Sequence, residues 1–307
     1  MQIATLWHVT LRAVQHWWKD NCLRLAASLA YYTALSLAPL VLLIVGVVGL
    51  VLERQQVANQ LSAQLEGLMG TAGRELITSI LAATSPQGSA LATVIGLVTL
   101  FIGATAVFGE LQATMNLIWE VQPAPTGGVW AGIWAWLRQR IFSLSIVFAL
   151  AFLLLVSLVI SAALAGAAAL FQGPEQAILS RLLELAVSLL VLTFVFALLY
   201  KYVPDAEIGW RDVWLGGLIT AVLFTLGKTA IGVYLGRASV GSAYGAAGSM
   251  VVLLVWVYYS ALIMFFGAEF THAWTTRQGG VTPQPHAVAG AAPQTKSEAA
   301  TDRTRRS

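Results

Sequence analysis

The chain has 307 residues and a net charge of +3, and 58% of its residues are hydrophobic whereas only 10% are charged. So few charged side chains leave too little polar surface for a soluble globule, and the mean hydropathy of +0.77 predicts a membrane protein. The single cysteine, Cys22, excludes an internal disulfide framework and a cysteine-rich metal site.

The N-terminal segment, residues 1–25, lacks the features of a removable signal peptide. Charged residues such as Arg12 and Lys19 interrupt it, and no unbroken apolar core precedes a small-residue cleavage site. Its apolar residues, Leu6 and Val14 among them, recur at helical spacing. This pattern predicts an amphipathic helix that lies in the cytoplasmic interface of the membrane.

Six segments are apolar over the roughly 20 residues that a transmembrane helix needs. They lack the ten-residue alternation of a membrane barrel, and backbone groups in lipid must be satisfied within each segment. The predicted fold class is therefore an all-α polytopic membrane protein with six transmembrane helices. The predicted spans are about 26–52, 90–109, 141–171, 182–203, 213–236 and 246–271.

Two segments outside these spans have a character of their own. Residues 53–89 follow the first span and repeat apolar residues at helical spacing until Gly70 and Gly73 interrupt the pattern. We expect two short amphipathic helices that cap the outer face. Residues 276–307 are rich in Gly, Pro, Ala, Gln, Ser and Thr, which predicts a disordered cytoplasmic tail.

Lys and Arg residues are distributed unevenly along the chain. Most lie in segments on the same side as both termini, whereas Arg54, Arg74, Arg181 and Arg237 fall on the other side. Because cytoplasmic loops carry an excess of Lys and Arg, both termini are predicted to be cytoplasmic.

The first span carries a ribbon of alanines at every fourth position, formed by Ala26, Ala30, Ala34 and Ala38. Such ribbons of small side chains let two helix backbones approach closely in lipid. Almost opposite to the ribbon lie Ser28, Tyr32 and Ser36. Their hydroxyls either bond to backbone carbonyls or line a cavity, and the sequence leaves both possibilities open.

Four motifs carry a resemblance to a known family. They are SLAYYTALSLAPL in the first span, VFGELQATMNLIW at the end of the second, WRDVWLGGLI in the fifth and YGAAGSMVVLLVWVYYSALIMFFGAEF in the sixth. In this order, over nearly all of residues 20–275, they resemble the YihY/BrkB family of bacterial inner-membrane proteins, which once bore the label ribonuclease BN. The resemblance implies a location in the bacterial cytoplasmic (inner) membrane and a role in transport.

One cation and two tyrosine pairs lie inside the predicted spans. An ionisable residue inside a span costs about 2.5 to 3.5 kcal/mol on insertion scales, so it either functions there or reaches for the interface. Phenols at this depth need hydrogen-bond partners in a medium that offers none. We therefore predict a polar pathway or cavity formed by Tyr31, Tyr32, Lys228, Tyr258 and Tyr259.

Three further charged residues fall near the predicted cytoplasmic ends of their spans. Glu110 ends the second span and Glu269 the sixth, while Arg24 precedes the first. Charges near a helix end cost far less than charges at the midplane. We expect cytoplasmic-side ion pairs between Arg24 and one of these two carboxylates.

A short internal similarity suggests a repeat. The sequence GATAV at 103–107 in the second span is similar to GKTAI at 227–231 in the fifth. Their correspondence would make spans one to three and four to six an inverted 3+3 repeat, an arrangement that builds several transporter folds around sites near the midplane.

The sequence is compatible with two functions. The first is a transporter or flippase-like protein for a small or lipid-derived envelope compound, and the alternative is a membrane scaffold for envelope assembly that transports nothing. Expected partners are membrane lipids, an unknown solute or lipid-derived substrate, and either further copies of the chain or an envelope protein.

An enzyme, and a nuclease in particular, is not expected. A metal-dependent nuclease needs clustered His and Asp ligands, whereas His8, His16, His272 and His286 are dispersed along the chain. The cytoplasmic loops are also too short for a basic, aromatic groove that binds nucleic acid. We expect no catalytic residue, no metal site, no cofactor and no nucleic-acid partner.

Overall fold

The computed structural model describes residues 2–48, 53–82, 103, 106–121, 174–237 and 247–277. This part of the chain contains eight helices, which are α1 (Gln2–Lys19), α2 (Cys22–Val48), α3 (Arg54–Met69), α4 (Thr71–Ala82), α5 (described over 106–118), α6 (Pro174–Tyr202), α7 (Trp210–Arg237) and α8 (Gly248–Thr276).

Four of these helices are long and apolar enough to cross a membrane, over Cys22–Leu42, Leu185–Tyr202, Trp210–Gly232 and Gly248–Thr276. They correspond to the first, fourth, fifth and sixth predicted spans, and the all-α class is confirmed. The predicted spans 90–109 and 141–171 lie largely or wholly outside the described residues, as does the tail from residue 278. The six-span count, the inverted repeat and the disorder of the tail stay predictions.

α1 uses two opposite faces. Val9 and Ala13 are buried against Phe270 of α8. Trp7 and Trp18 are 62% and 61% exposed, and they project roughly half a turn away from that contact. A helix that packs on protein through one face and exposes tryptophans on the other suits a membrane interface, where the rings lie at the level of the headgroups.

α1 folds back onto the bundle through a tight turn. Asn21 lies between α1 and α2 and has a φ of 53°, in the left-handed region that asparagine tolerates better than most residues. The turn places Cys22, the first residue of α2, in the core. Hereafter the end of the bundle on which α1 packs is called the α1 end.

α3 and α4 form a helical hairpin near the end of the bundle at which α8 begins. Gly70 separates the two helices with a φ of 70°, which glycine adopts without steric cost. A Cβ at Gly73 would collide with the backbone of Leu65, so α4 returns closely along α3. Leu76 is buried in a cluster with Leu253 of α8.

α8 packs against α1, α2, α4 and α7, and the alanine ribbon of α2 provides one of these contacts. Ala26 and Ala30 are buried, and Ala34 packs against a cluster that includes Val252 and Leu253 of α8. The small side chains therefore allow the close approach that their spacing predicts.

α7 and α8 meet through two reciprocal contacts between a glycine and a threonine. A Cβ at Gly216 of α7 would collide with Thr271 of α8, and a Cβ at Gly267 of α8 would collide with Thr220 of α7. Small residues at a helix crossing let the backbones approach, which is the principal source of stability between helices in lipid.

Tyr200 connects three helices at the same level. Its side chain is completely buried, its hydroxyl on α6 donates a 2.8 Å hydrogen bond to the carbonyl of Met264 on α8, and the same oxygen lies 2.9 Å from Thr220 Oγ1 on α7. The α1 end is thus a closed core, to which α2, α5, α6, α7 and α8 all contribute buried residues.

Candidate functional site

One face of α7 passes from this closed core to an exposed surface. Val213 and Ala221 are completely buried, and a Cβ at Gly217 would press against the α6 backbone at Thr193. Lys228 falls on the same helical face, about two turns beyond Ala221, and its side chain is exposed. Burial on this face of α7 therefore ends before the lysine.

The facing side of α6 changes in the same direction. Ala197 is 0% exposed and Thr193 is 4% exposed, whereas Leu190, one turn further from the α1 end, is 64% exposed. Both facing surfaces therefore carry exposed side chains toward the same end, while Leu189 of α6 still packs against the core cluster. Phe224 of α7 contacts Phe196 of α6, with the ring centroids 5.7 Å apart.

Two of the tyrosines predicted to line a pathway belong to α8. The hydroxyl of Tyr259 lies against Gly227, where a Cβ would be 2.9 Å from it, so it packs on the turn of α7 that carries Lys228. Tyr258 is half-buried and packs against the core cluster. The structure thus brings Tyr259 and the Lys228 turn together at the α7–α8 contact.

The other predicted pair, Tyr31 and Tyr32, lies on α2. Tyr31 is 58% exposed and lies about half a turn away from the buried face that contains Cys22 and Ala26. The structure therefore places Tyr31 on the outer face of the helix instead of in the interior, because the alanine face is the one that packs on α8. Tyr32 is half-buried, with its ring 5.7 Å from that of Tyr31.

The hydroxyls that share α2 with these tyrosines bond to their own helix. Thr33 Oγ1 donates to the carbonyl of Leu29 at 2.7 Å, and Ser36 Oγ donates to the carbonyl of Thr33 at 3.0 Å. The sequence left open whether these hydroxyls bond to backbone carbonyls or line a cavity, and Ser36 bonds to a backbone carbonyl. This is a common way for a hydroxyl to be accommodated in a membrane span.

A polar cluster at the α1 end brings together residues that are remote in sequence. His16 of α1 faces Glu269 and His272 of α8, and one potential ligand atom from each residue lies within 4.8 Å of the other two. His16 Nδ1 is 3.9 Å from Glu269 Oε2. The ring of His272 lies 5.1 Å from that of Trp119, measured between centroids.

Two of the three residues in this cluster, Glu269 and His272, are deeply buried. Glu269 is 0% exposed and His272 is 4% exposed, yet neither imidazole nitrogen has a hydrogen-bond partner among the described residues, and the Glu269 carboxyl meets the carboxyl of Asp20 and no hydrogen-bond donor. The indole nitrogens of Trp17 and Trp119 are also buried without a partner. Unpaired buried polar groups are costly and uncommon, so this arrangement calls for an explanation.

The predicted ion pairs need correction at Glu269. In the part of the chain that the structure describes, His16 is the basic residue that comes within 4 Å of Glu269, and neither Arg24 nor Glu110 forms an ion pair. Arg24 is exposed on the surface of α2, because the buried face of that helix is the one with Cys22 and Ala26. Glu269 instead faces inward, toward α1.

Comparison with known sequences identifies the family. The sequence model of the family described as virulence factor BrkB matches residues 13–291. The chain belongs to the BrkB family. It is an integral membrane protein, and the resemblance inferred from the span motifs is confirmed.

Several proteins that are similar to this chain bear the name UPF0761 membrane protein. The chain is 31% identical to a relative from Verminephrobacter eiseniae, and the match covers 86% of this chain and 62% of the relative. It is 28% identical to a relative from Halorhodospira halophila, and that match covers 87% of this chain and 58% of the relative. It is 29% identical to a relative from Alkalilimnicola ehrlichii, and this match covers 83% of this chain and 55% of the relative. The chain thus spans about three fifths of the length of these relatives, and no solved structure matches it.

The sequence did contain one signal of the polar cluster. Glu269 and His272 are three residues apart, which puts both on one face of a helix, as in the Glu-x-x-His pairs of metal-binding bundles. The expectation that the histidines are dispersed is wrong for His16 and His272, whose ring centroids are 6.2 Å apart. His286 lies outside the described residues.

A second group of side chains, a hydrogen-bond network around Asp205, was not predicted from the sequence. Asp205, in the turn between α6 and α7, accepts hydrogen bonds from Gln112 Nε2 at 3.2 Å and from Asn116 Nδ2 at 2.8 Å. Its backbone N–H donates to Asn116 Oδ1 at 2.8 Å. The amides lie four residues apart on one face of α5, and they fix the α6–α7 turn to the α1 end of the bundle.

Proposed function

We propose that the protein is a transporter of the flippase type, located in the bacterial inner membrane with both termini in the cytoplasm, and that it moves a lipid-derived compound with an anionic headgroup. The observation that carries the proposal is the exposed Lys228 on the face of α7 that is buried nearer the α1 end. No catalysed reaction is part of the proposal.

Binding of an anion offsets the free-energy cost of placing the charged Lys228 side chain within a membrane span. A lysine within a membrane span costs about 2.5 to 3.5 kcal/mol on insertion scales. An ammonium group is a compact donor for phosphate oxygens, and charge-assisted hydrogen bonds are stronger in a medium of low dielectric than in water. Because the side chain of Lys228 is exposed, a headgroup would reach the ammonium while its acyl chains stay in the bilayer.

An apolar cleft gives the proposal a second support. It has a volume of about 260 Å³, lies between α1 and the α7–α8 pair, and is lined by Val14, Trp17, Trp18, Leu223, Leu262, Ile263 and Phe266. Such a lining suits hydrocarbon. With α1 in the membrane interface, the cleft would hold an acyl chain of the leaflet on that side.

Reconstitution of the full chain tests the proposal. Phosphatidylcholine vesicles with a trace of fluorescent phosphatidylglycerol are treated with an impermeant quencher, with and without an imposed pH gradient and membrane potential. We expect faster loss of the inner-leaflet signal than in protein-free vesicles. Lys228→Met should slow the transfer about tenfold, which corresponds to about 1.4 kcal/mol, and Lys228→Arg should retain most of it.

Leu226→Met is the matched control, because Leu226 is 65% exposed on nearly the opposite face of α7 at the same depth. It should transfer the lipid at the wild-type rate. Transfer no faster than in protein-free vesicles under every gradient would contradict a flippase and favour a scaffold that transports nothing.

A further inference from the structure

We propose that His16, Glu269 and His272 form a binding site for a divalent transition-metal ion, with Zn²⁺ as the ion that the ligand set fits best. The site lies at the α1 end and does not depend on the transport proposed above. It rests on the three side chains themselves, on their burial and on their unpaired atoms.

The ligand types select the class of ion. Two imidazoles and one carboxylate are a common zinc set, which leaves a further coordination position for water or another ligand. Calcium and magnesium prefer oxygen ligands and are disfavoured by two imidazoles. Because α1 supplies His16 and α8 supplies the other two ligands, a bound ion would join the interfacial helix to the bundle.

The unpaired atoms are those that a metal ion would use. Both oxygens of Glu269 and both nitrogens of His272 are buried without a hydrogen-bond donor among the described residues, and the Glu269 carboxyl lies beside that of Asp20. A buried carboxylate without a partner is strongly disfavoured, whereas coordination satisfies it. The acidic Asp20 and Glu120 and the basic Lys19 act on Glu269, so the three carboxyl groups outnumber the one ammonium group and their balance of charge favours a cation.

The distances require a small contraction. Zinc bonds of about 2.0 to 2.2 Å in a tetrahedron place ligand atoms roughly 3.4 Å apart, whereas the three ligand atoms here lie within 4.8 Å of one another. The side chain of His16 is 38% exposed and is therefore free to turn inward. Glu269 and His272 are buried on one face of α8 and need move little.

Metal analysis of the full-length protein tests this site. The protein is purified in detergent without a histidine tag, treated with a chelator, loaded with Zn²⁺ and desalted. We expect one zinc ion per chain, a melting temperature that rises with Zn²⁺, and visible absorption typical of tetrahedral cobalt after loading with Co²⁺. In competition with a chromophoric chelator, His272→Ala and Glu269→Gln should weaken zinc binding by more than about 100-fold.

His16→Ala keeps the test decisive, because His16 is partly exposed and its loss should leave the fold intact. It should lose the bound zinc and the cobalt absorption. The control is His8→Ala, since His8 is an exposed histidine of the same helix, and it should bind zinc as the wild type does. The proposal is overturned if the wild-type protein retains no more zinc than His16→Ala, or if His8→Ala loses as much.

Discussion

Gly267→Ala should destabilise the protein more than any other single added methyl group at the helix crossings described above. A Cβ at Gly267 would collide with Thr220 and with the hydroxyl of Tyr200. Both neighbours are themselves buried, so the strain must separate α7 from α8 or break the hydrogen bond from Tyr200 to Met264. Overpacking of this kind costs about 1 to 3 kcal/mol, and a lost buried hydrogen bond adds about 1 to 3 kcal/mol.

The measurement is the melting temperature of the purified protein in detergent, and Gly232→Ala is its control. Gly232 lies on α7 with nothing within 4 Å of an added Cβ, so alanine there should keep or raise the stability by up to about 1 kcal/mol. Equal melting temperatures for the two variants would show that the crossing is looser than described.

Asp205→Ala should have the second largest effect on stability. Its carboxylate accepts from Gln112 and Asn116 across the α5 contact, and hydrogen bonds to a charged group contribute about 1.5 to 3 kcal/mol each. Removal leaves the Asn116 amide without this acceptor and loosens the α6–α7 turn, which keeps the backbone hydrogen bond to Asn116 Oδ1. We expect a lower melting temperature and faster proteolysis within residues 203–209.

Glu75→Ala serves as the control for this loss of charge. Glu75 is an exposed carboxylate on α4, and surface substitutions of this kind usually change stability by less than about 0.5 kcal/mol. Proteolysis of the turn at the wild-type rate in Asp205→Ala would contradict the role given to the network.

Periodicity predicted the helices and several of their faces. The four-residue spacing of alanines in α2 indicated a helix contact, and that face packs on α8. A glycine after a run of helical spacing marked the break at Gly70, where the backbone has a positive φ. These features are local, because each depends on residues within a few turns of one another.

Contacts between distant segments lay beyond the sequence. The cluster of His16 with Glu269 and His272 depends on how the turn at Asn21 folds α1 back onto α8, and helical spacing does not reveal that turn. The outward position of Tyr31 lay beyond the sequence for a related reason: the pattern of α2 gives its faces, but only packing decides which face meets α8. The Asp205 network likewise joins a turn to a helix about 90 residues earlier.

The exposed side chain of Lys228 on α7 should border water and not hydrocarbon if the protein moves an anionic headgroup. Cysteine labelling tests it directly, because the one native cysteine, Cys22, is buried. Lys228→Cys should react with a charged, membrane-impermeant thiosulfonate at least tenfold faster than Leu226→Cys, whose side chain would face lipid at the same depth. Equal rates, or a Lys228→Cys thiol as unreactive as that of the wild type, would contradict the account.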